Sequence, residues 1–128
     1  MNVPENLKYT KDHEWVMVEG EYVFEGLTDF AQSQLADIVT FELKPKGSKF
    51  NKDDIFGSVE AVKAVADLYM GVGGEIVEVN EKIMSTPEIV NNDPYGEGWI
   101  IKIKADNPSE VDSLLTPDDY KKLVEEQS

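Results

Sequence analysis

Gly57-Ser58-Val59-Glu60-Ala61-Val62-Lys63-Ala64-Val65-Ala66-Asp67-Leu68-Tyr69 is the stretch on which the fold turns. Propensity alone makes it a helix. Three alanines favour one, Val59, Val62, Ala66 and Tyr69 form an apolar seam, and Glu60–Lys63 and Lys63–Asp67 are permitted ion pairs worth about 0.2–0.5 kcal/mol each. The surrounding chain has a different rhythm. Turn signals at Glu19-Gly20, Pro45-Lys46-Gly47, Asp53-Asp54, Gly71 to Gly74 and Asn91 to Gly98 separate short apolar runs, which favours a β-sandwich or barrel over alternating helices and strands. The strand candidates are Trp15–Val18, Tyr22–Gly26, Ile38–Leu43, Ile55–Val59, Ile76–Val79 and Trp99–Lys104. In the last of these Trp99, Ile101 and Ile103 are expected on one face, with Lys102 and Lys104 on a wet one.

Helices are expected at the edges. Thr28 can cap one running to Leu35, with Phe30, Ala31 and Leu35 on its apolar face. Ser109 can open another toward Leu115. Thr116-Pro117-Asp118-Asp119 combines a cap, a first-turn proline and acidic residues ahead of Tyr120, Leu123 and Val124 at helical spacing. No linker composition divides the chain, so residues 1–128 are read as one domain with a helical C-terminal extension at about 108–127. Asp37-Ile38-Val39-Thr40-Phe41 faintly echoes Glu75-Ile76-Val77-Glu78-Val79, as two halves of one sandwich could.

Composition narrows the chemistry. The 128 residues hold 26 acids, 12 lysines and no arginine, for a formal net charge of −14. Such a surface repels phosphate backbones, and no basic stripe with interleaved aromatics compensates, so nucleic acid is not an expected partner. No apolar run is long enough to cross a membrane and the N-terminus lacks a signal-peptide pattern, so a cytoplasmic chain with no membrane partner is expected. With no cysteine there is no disulfide, thiolate metal site or cysteine nucleophile, and the single histidine, His13, excludes a multi-histidine metal centre. Any sulfur redox chemistry must arrive on a cofactor. His13 beside Glu14 reads as structural rather than catalytic. Gly71-Val72-Gly73-Gly74 fails as a dinucleotide fingerprint because Ile76 occupies the third glycine position. Met17, Met70 and Met84 read as packing residues.

Ser58-Val59-Glu60-Ala61-Val62-Lys63-Ala64, continuing through Asp67-Leu68-Tyr69, resembles the lipoyl-attachment segment of the glycine cleavage system H protein family. Further matching stretches follow the family's order: Lys8-Tyr9-Thr10, His13-Glu14-Trp15-Val16, Gly26-Leu27-Thr28-Asp29, Ala31-Gln32, Asp37-Ile38-Val39, Gly74 to Asn80, and Asp93 to Ile103. The resemblance implies a mainly β, barrel-sandwich hybrid fold with short helices at its edges and a C-terminal helix. Lys63 then stands at the tip of a β-hairpin, overriding the helical reading of residues 60–68. It also implies that lipoic acid is attached covalently to Lys63, with Glu60, Val62 and Ala64 as the attachment-motif neighbours. The protein would then be a carrier rather than an enzyme. Its implied partners are the pyridoxal-phosphate glycine decarboxylase, which loads an aminomethyl group, the aminomethyltransferase, dihydrolipoamide dehydrogenase, and a lipoate-attaching enzyme.

An aminomethyl thioether needs shelter from water and a partner for its cationic amine. By resemblance Glu14 and Asp67 match that cleft, with the backbone carbonyl of Asp12 a third candidate. The plain reading makes both acids solvated surface groups. The chain departs from the family pattern at Met70-Gly71 and Gly73-Gly74, where members often carry Ala-Pro and Ser-Gly, which implies a looser returning strand. It also departs at Phe30 and Gln34, where members often carry histidine. The departures near Met70 keep open an H-like carrier for lipoate relay or lipoate-linked sulfur oxidation. An alternative of another class is an unmodified acidic interaction module with Lys63 in an ion-pair cluster. Biotinylation is disfavoured, because Val62 and Ala64 stand where the biotin-carrier pattern prefers methionine.

Overall fold

A computed structural model describes residues 1–127. Nine strands form two antiparallel sheets: β1 (Lys8–Tyr9), β2 (Glu14–Glu19), β3 (Tyr22–Leu27), β4 (Ile38–Leu43), β5 (Lys49–Phe50), β6 (Ile55–Ala61), β7 (Val65–Tyr69), β8 (Gly74–Val79) and β9 (Ile101–Ala105). The six-stranded sheet runs β1-β2-β3-β9-β8-β5 and the three-stranded sheet β4-β6-β7. Between them lies the main core, where Val16, Val23, Ile76, Ile101 and Ile103 of the larger sheet face Phe41, Phe56, Val59 and Leu68 of the smaller. The echoing segments around Ile38 and Ile76 lie in different sheets, on the two sides of this core.

Residues 60–68 are therefore a hairpin and not a helix. Sheet pairing explains the reversal. Ala61, Val59 and Leu68 alternate inward, burial that a helical seam along the same residues would not provide in this setting. The pairing of Val59 with both Phe41 and Ala66 locks β6 between two neighbours.

Helix α1 (Asp29–Leu35) begins as its sequence requires, Thr28 accepting a hydrogen bond from the Ala31 N–H. Helix α4 (Pro117–Gln127) buries Tyr120 and Val124, and the Asp119 N–H donates to the Thr116 hydroxyl at 3.2 Å. The segment near Ser109 is a 3₁₀ turn over Pro108–Ser113 rather than an α-helix reaching Leu115. Two five-residue helices, α2 (Glu81–Ser85) and α3 (Glu88–Asn92), were not anticipated. Strand β9 starts at Ile101. Trp99 belongs to the opposite side, packing edge-on to Phe24 with ring centroids 5.3 Å apart, so the expected Trp99–Ile101–Ile103 face holds only for the isoleucines. Met70 is fully buried, but Met84 is 42% exposed and is not a packing residue.

A second apolar cluster lies behind the larger sheet, joining Tyr9, Trp15 and Phe30 to Tyr120 and Val124 of α4. Tyr9 and Tyr120 stack at 4.6 Å. His13 completes this attachment, its Nδ1 2.9 Å from the Tyr120 hydroxyl and its Nε2 2.7 Å from Gln127 Oε1. The histidine is a structural strut between the sheet and α4.

Candidate functional site

The loop Val62-Lys63-Ala64 joins β6 to β7. The Ala61 N–H donates to the Ala64 carbonyl at 2.7 Å, closing a tight turn with no glycine in it. The Val62 N–H donates to the Asp37 carbonyl at 3.0 Å, so the tip is also tied to the chain entering β4. Lys63 and Ala64 are exposed, and Val62 is 71% exposed. Among the described residues no hydrogen bond or ion pair involves Lys63, although Glu60 and Asp67 are near it in sequence. The ion-pair cluster of the plain reading is absent because strand geometry replaces the i,i+3 and i,i+4 neighbours of a helix. Glu60 instead pairs across β6–β7 with Val65, and Asp67 with Ser58.

A second set of groups lies where β7 leaves the hairpin. Glu14, on the inward face of β2, is 2% exposed and not a solvated acid. Its Oε1 accepts from the Thr10 hydroxyl at 3.0 Å and its Oε2 from the Tyr69 N–H at 2.7 Å. Burial pushes its carboxyl up to about 8 against the pull of those two hydrogen bonds, and the negative charges of Asp12 and Asp53 push the same way. Burial thus favours the protonated form of this carboxyl.

Next to it, Glu25 on β3 is fully buried and accepts the Gly71 N–H at 2.8 Å, while its Oε2 has no partner. Burial first, and the Glu14 charge second, raise its pKa well above the usual carboxylate range. A Cβ at Gly71 would lie 2.8 Å from Val16 Cγ2 and 3.2 Å from Glu25 Oε1, so the close approach needs glycine. A proline at 71 would have no N–H to give. Farther along, the Gly73 N–H donates to Glu110 Oε1 at 2.9 Å, and Met70 and Val72 are fully buried. The returning strand is thus held by carboxylates, and the expected looseness is not found.

Of the proposed cleft residues, the structure brings Asp12 and Glu14 together. Asp12 lines a cleft of about 250 Å³ with Tyr9, Thr10, Lys52 and Asp53, and Thr10 bridges that cleft to Glu14. Asp67 is exposed on the outward face of the three-stranded sheet and is not among the charges acting on Glu14. Sequence reasoning missed Asp53, Thr10 and Glu25. Asp53, at φ 72°, occupies a turn whose N–H donates to the Met70 carbonyl at 2.8 Å. The isolated charge in the strand-like run Tyr22-Val23-Phe24-Glu25-Gly26 was the available signal for Glu25. Another cleft, of about 680 Å³ and lined by Leu43, Lys44, Lys46, Met84 and Trp99, opens at the far end of the three-stranded sheet. With Leu43 opposite Gly57, six residues before Lys63, it lies roughly 20 Å from the tip.

Comparison with known proteins adds a consistent finding. The family profile described as "Glycine cleavage H-protein" matches residues 7–127. A glycine cleavage system H protein of Chlorobaculum parvum is 56% identical over 128 residues, covering 98% of this chain and all of that one. Another, of Carboxydothermus hydrogenoformans, is 51% identical over 98% of this chain and 96% of its own length. A crystal structure of a glycine cleavage system H protein from Mycobacterium marinum superposes with a TM-score of 0.86 at 33% identity, covering 94% of this chain and 97% of that one.

Proposed function

The chain belongs to the glycine cleavage H-protein family, lipoyl carriers of the glycine cleavage system, and from that premise we propose that Lys63 is its attachment site and that Glu14 receives the cargo's amine. The observation that carries the reading is the exposed, unpaired Lys63 amine on a braced hairpin tip. A lysine amine is nucleophilic only when deprotonated and accessible, and among the described residues no ion pair engages this one. Amide formation joins Nζ to the lipoyl carboxyl carbon, releases the group that activated it together with a proton, and removes the lysine's charge. Val62 and Ala64 flank the amine without covering it, and Glu60 adds an acid at the stem. Once attached, the lipoyl group supplies a dithiolane able to accept an aminomethyl unit and two electrons, chemistry that a chain without cysteine cannot provide.

Glu14 fits the second task. It is a carboxyl whose protonated form is favoured by burial, and an approaching ammonium favours its charged form. It therefore releases its proton on engagement and becomes the counter-ion, with Asp12 and Asp53 adding negative potential from the adjoining cleft. Burial excludes bulk water from the same point. Asp67, exposed on the outer face of β7 opposite Ser58, is not placed to meet the amine at Glu14.

The carrier itself performs none of the bond-making steps in this reading. It serves the glycine decarboxylase, the aminomethyltransferase and dihydrolipoamide dehydrogenase in turn, within the cytoplasm and with residues 1–128 acting as one unit. Among the described residues no helix is long and apolar enough to cross a membrane. The test is intact mass after incubation with lipoate, ATP and a lipoate ligase. A single lipoyl adduct that disappears with Lys63→Ala supports the reading; an adduct that persists, or none on the parent chain, overturns it. Glycine decarboxylation reconstituted with the three enzymes then tests the partners.

A further inference from the structure

Large exposed aliphatic side chains are few in this molecule, and three of them converge on the hairpin tip. Val62 is 71% exposed, Val65 70% and Val39 51%. Isolated apolar residues on a surface need no explanation, but a cluster at one edge does. Val39 comes from a strand 24 residues away in sequence, and its outward position has a local cause. The β4–β6 register shifts between Ile38 and Thr40, a bulge that leaves Val39 as the extra residue while Ile38 and Phe41 still face the core. Thr40 opposes Glu60, and Glu60 opposes Val65. Across three strands, about 10 Å at the usual strand spacing, the outer surface below Lys63 reads Val39, Glu60, Val65, with Val62 above. The bond from the Val62 N–H to the Asp37 carbonyl fixes the two parts together. Asp37, Glu60 and Asp67 are exposed around this patch.

We propose that Val39, Val62 and Val65 form an apolar collar that docks against the mouth of the enzyme acylating Lys63, with Val39 as a specificity-determining residue contributed from outside the attachment hairpin. The inference rests on the reading of Lys63 as the attachment site. Lysine has a four-carbon stem, so an acyl carbon that meets Nζ brings its enzyme's mouth onto the surrounding surface. That surface carries valines on its two flanking strands, with the acid Glu60 between them and Asp37 and Asp67 at its edge. The complementary mouth has apolar contacts on either side of a lysine or arginine that meets Glu60, with further basic groups at its border.

The experiment measures lipoylation kinetics by a lipoate ligase on the full chain, comparing the parent protein with Val39→Ser, Val65→Ser and the isosteric Val39→Thr. Val18→Ser serves as the control, at a 50% exposed valine on β2 in the other sheet. Loss of the burial that each exposed valine gains on docking predicts roughly a three- to tenfold rise in KM with kcat unchanged for Val39→Ser and Val65→Ser. Val39→Thr should show a smaller rise and Val18→Ser none. Circular dichroism checks that each variant is folded, and Val39→Thr keeps the test alive if serine disturbs the bulge. An unchanged KM in every folded collar variant overturns the collar. An equal rise in Val18→Ser overturns it as well. Lys63→Ala separates the two inferences: an adduct that survives it defeats the attachment reading, whereas a lost adduct with unchanged collar kinetics defeats the collar alone.

Discussion

Replacing Glu14 with glutamine is expected to flatten the pH dependence of folding and to make the variant more stable than the parent at alkaline pH. The carboxyl titrates near 4.5 when solvated and at about 8 in the folded chain. Between those values the folded state binds the proton that the unfolded state has lost. The stabilisation is therefore complete below pH 4.5 and disappears as pH rises through about 8. About 3.5 pH units at about 1.36 kcal/mol each gives about 5 kcal/mol, comparable to the whole stability of a marginal domain. Glutamine keeps an acceptor for the Tyr69 N–H but presents an amide where the Thr10 hydroxyl now donates. That mismatch costs about 1 kcal/mol in acid, so the two stability curves should cross between about pH 5 and 6. Urea unfolding followed by circular dichroism, at half-unit steps from about pH 4.5 to 8.5, reads both slopes. Parallel curves for parent and variant would refute the reasoning. Because the Glu14 and Glu25 charges act on each other, Glu25→Gln belongs in the same series. A slope lost only in that variant would move the titrating proton to Glu25.

Other perturbations probe separate parts of the structure. Gly26→Ala places a Cβ 2.7 Å from the Trp15 indole nitrogen, which donates to the Pro94 carbonyl at 2.9 Å; overpacking should cost about 1–3 kcal/mol in urea unfolding, and an unchanged midpoint would exclude the clash. His13 has its pKa lowered, mainly by burial, so its stabilisation is present above about pH 6.5 and is lost as pH falls below it. In His13→Ala that acid-side loss should vanish, and hydrogen exchange should accelerate over residues 120–127; unaltered exchange there would remove the strut from the account. With a net charge of −14, association with the decarboxylase should slow severalfold between low and physiological salt, and stopped-flow rates insensitive to salt would assign the charge to solubility instead.

Legibility in the sequence followed the range of the forces involved. Helix α1 was readable because its cap, Thr28, and its buried face lie within eight residues, and α4 for the same reason. Strand β4 and the first part of β6 were visible as short apolar runs between turn signals, but β1 and β5 are two-residue strands whose existence depends wholly on a partner. The hairpin around Lys63 shows the limit most clearly, since each local preference pointed to a helix and only the flanking strand β4 and the returning strand β7 decided otherwise. Glu14 looked like one surface acid among 26. One of its hydrogen-bond partners is residue 69, which no sequence window joins to residue 14. Glu25 was passed over because a charge within a strand reads as solvent-facing, whereas its register opposite Ile101 turns it to the core.

The backbone bond from Val62 to the chain entering β4 makes the lysine's base a fixed pivot. If Lys63 is the attachment point proposed above, a tether there would hang from a base hydrogen-bonded to a second strand's entry rather than from an untied loop.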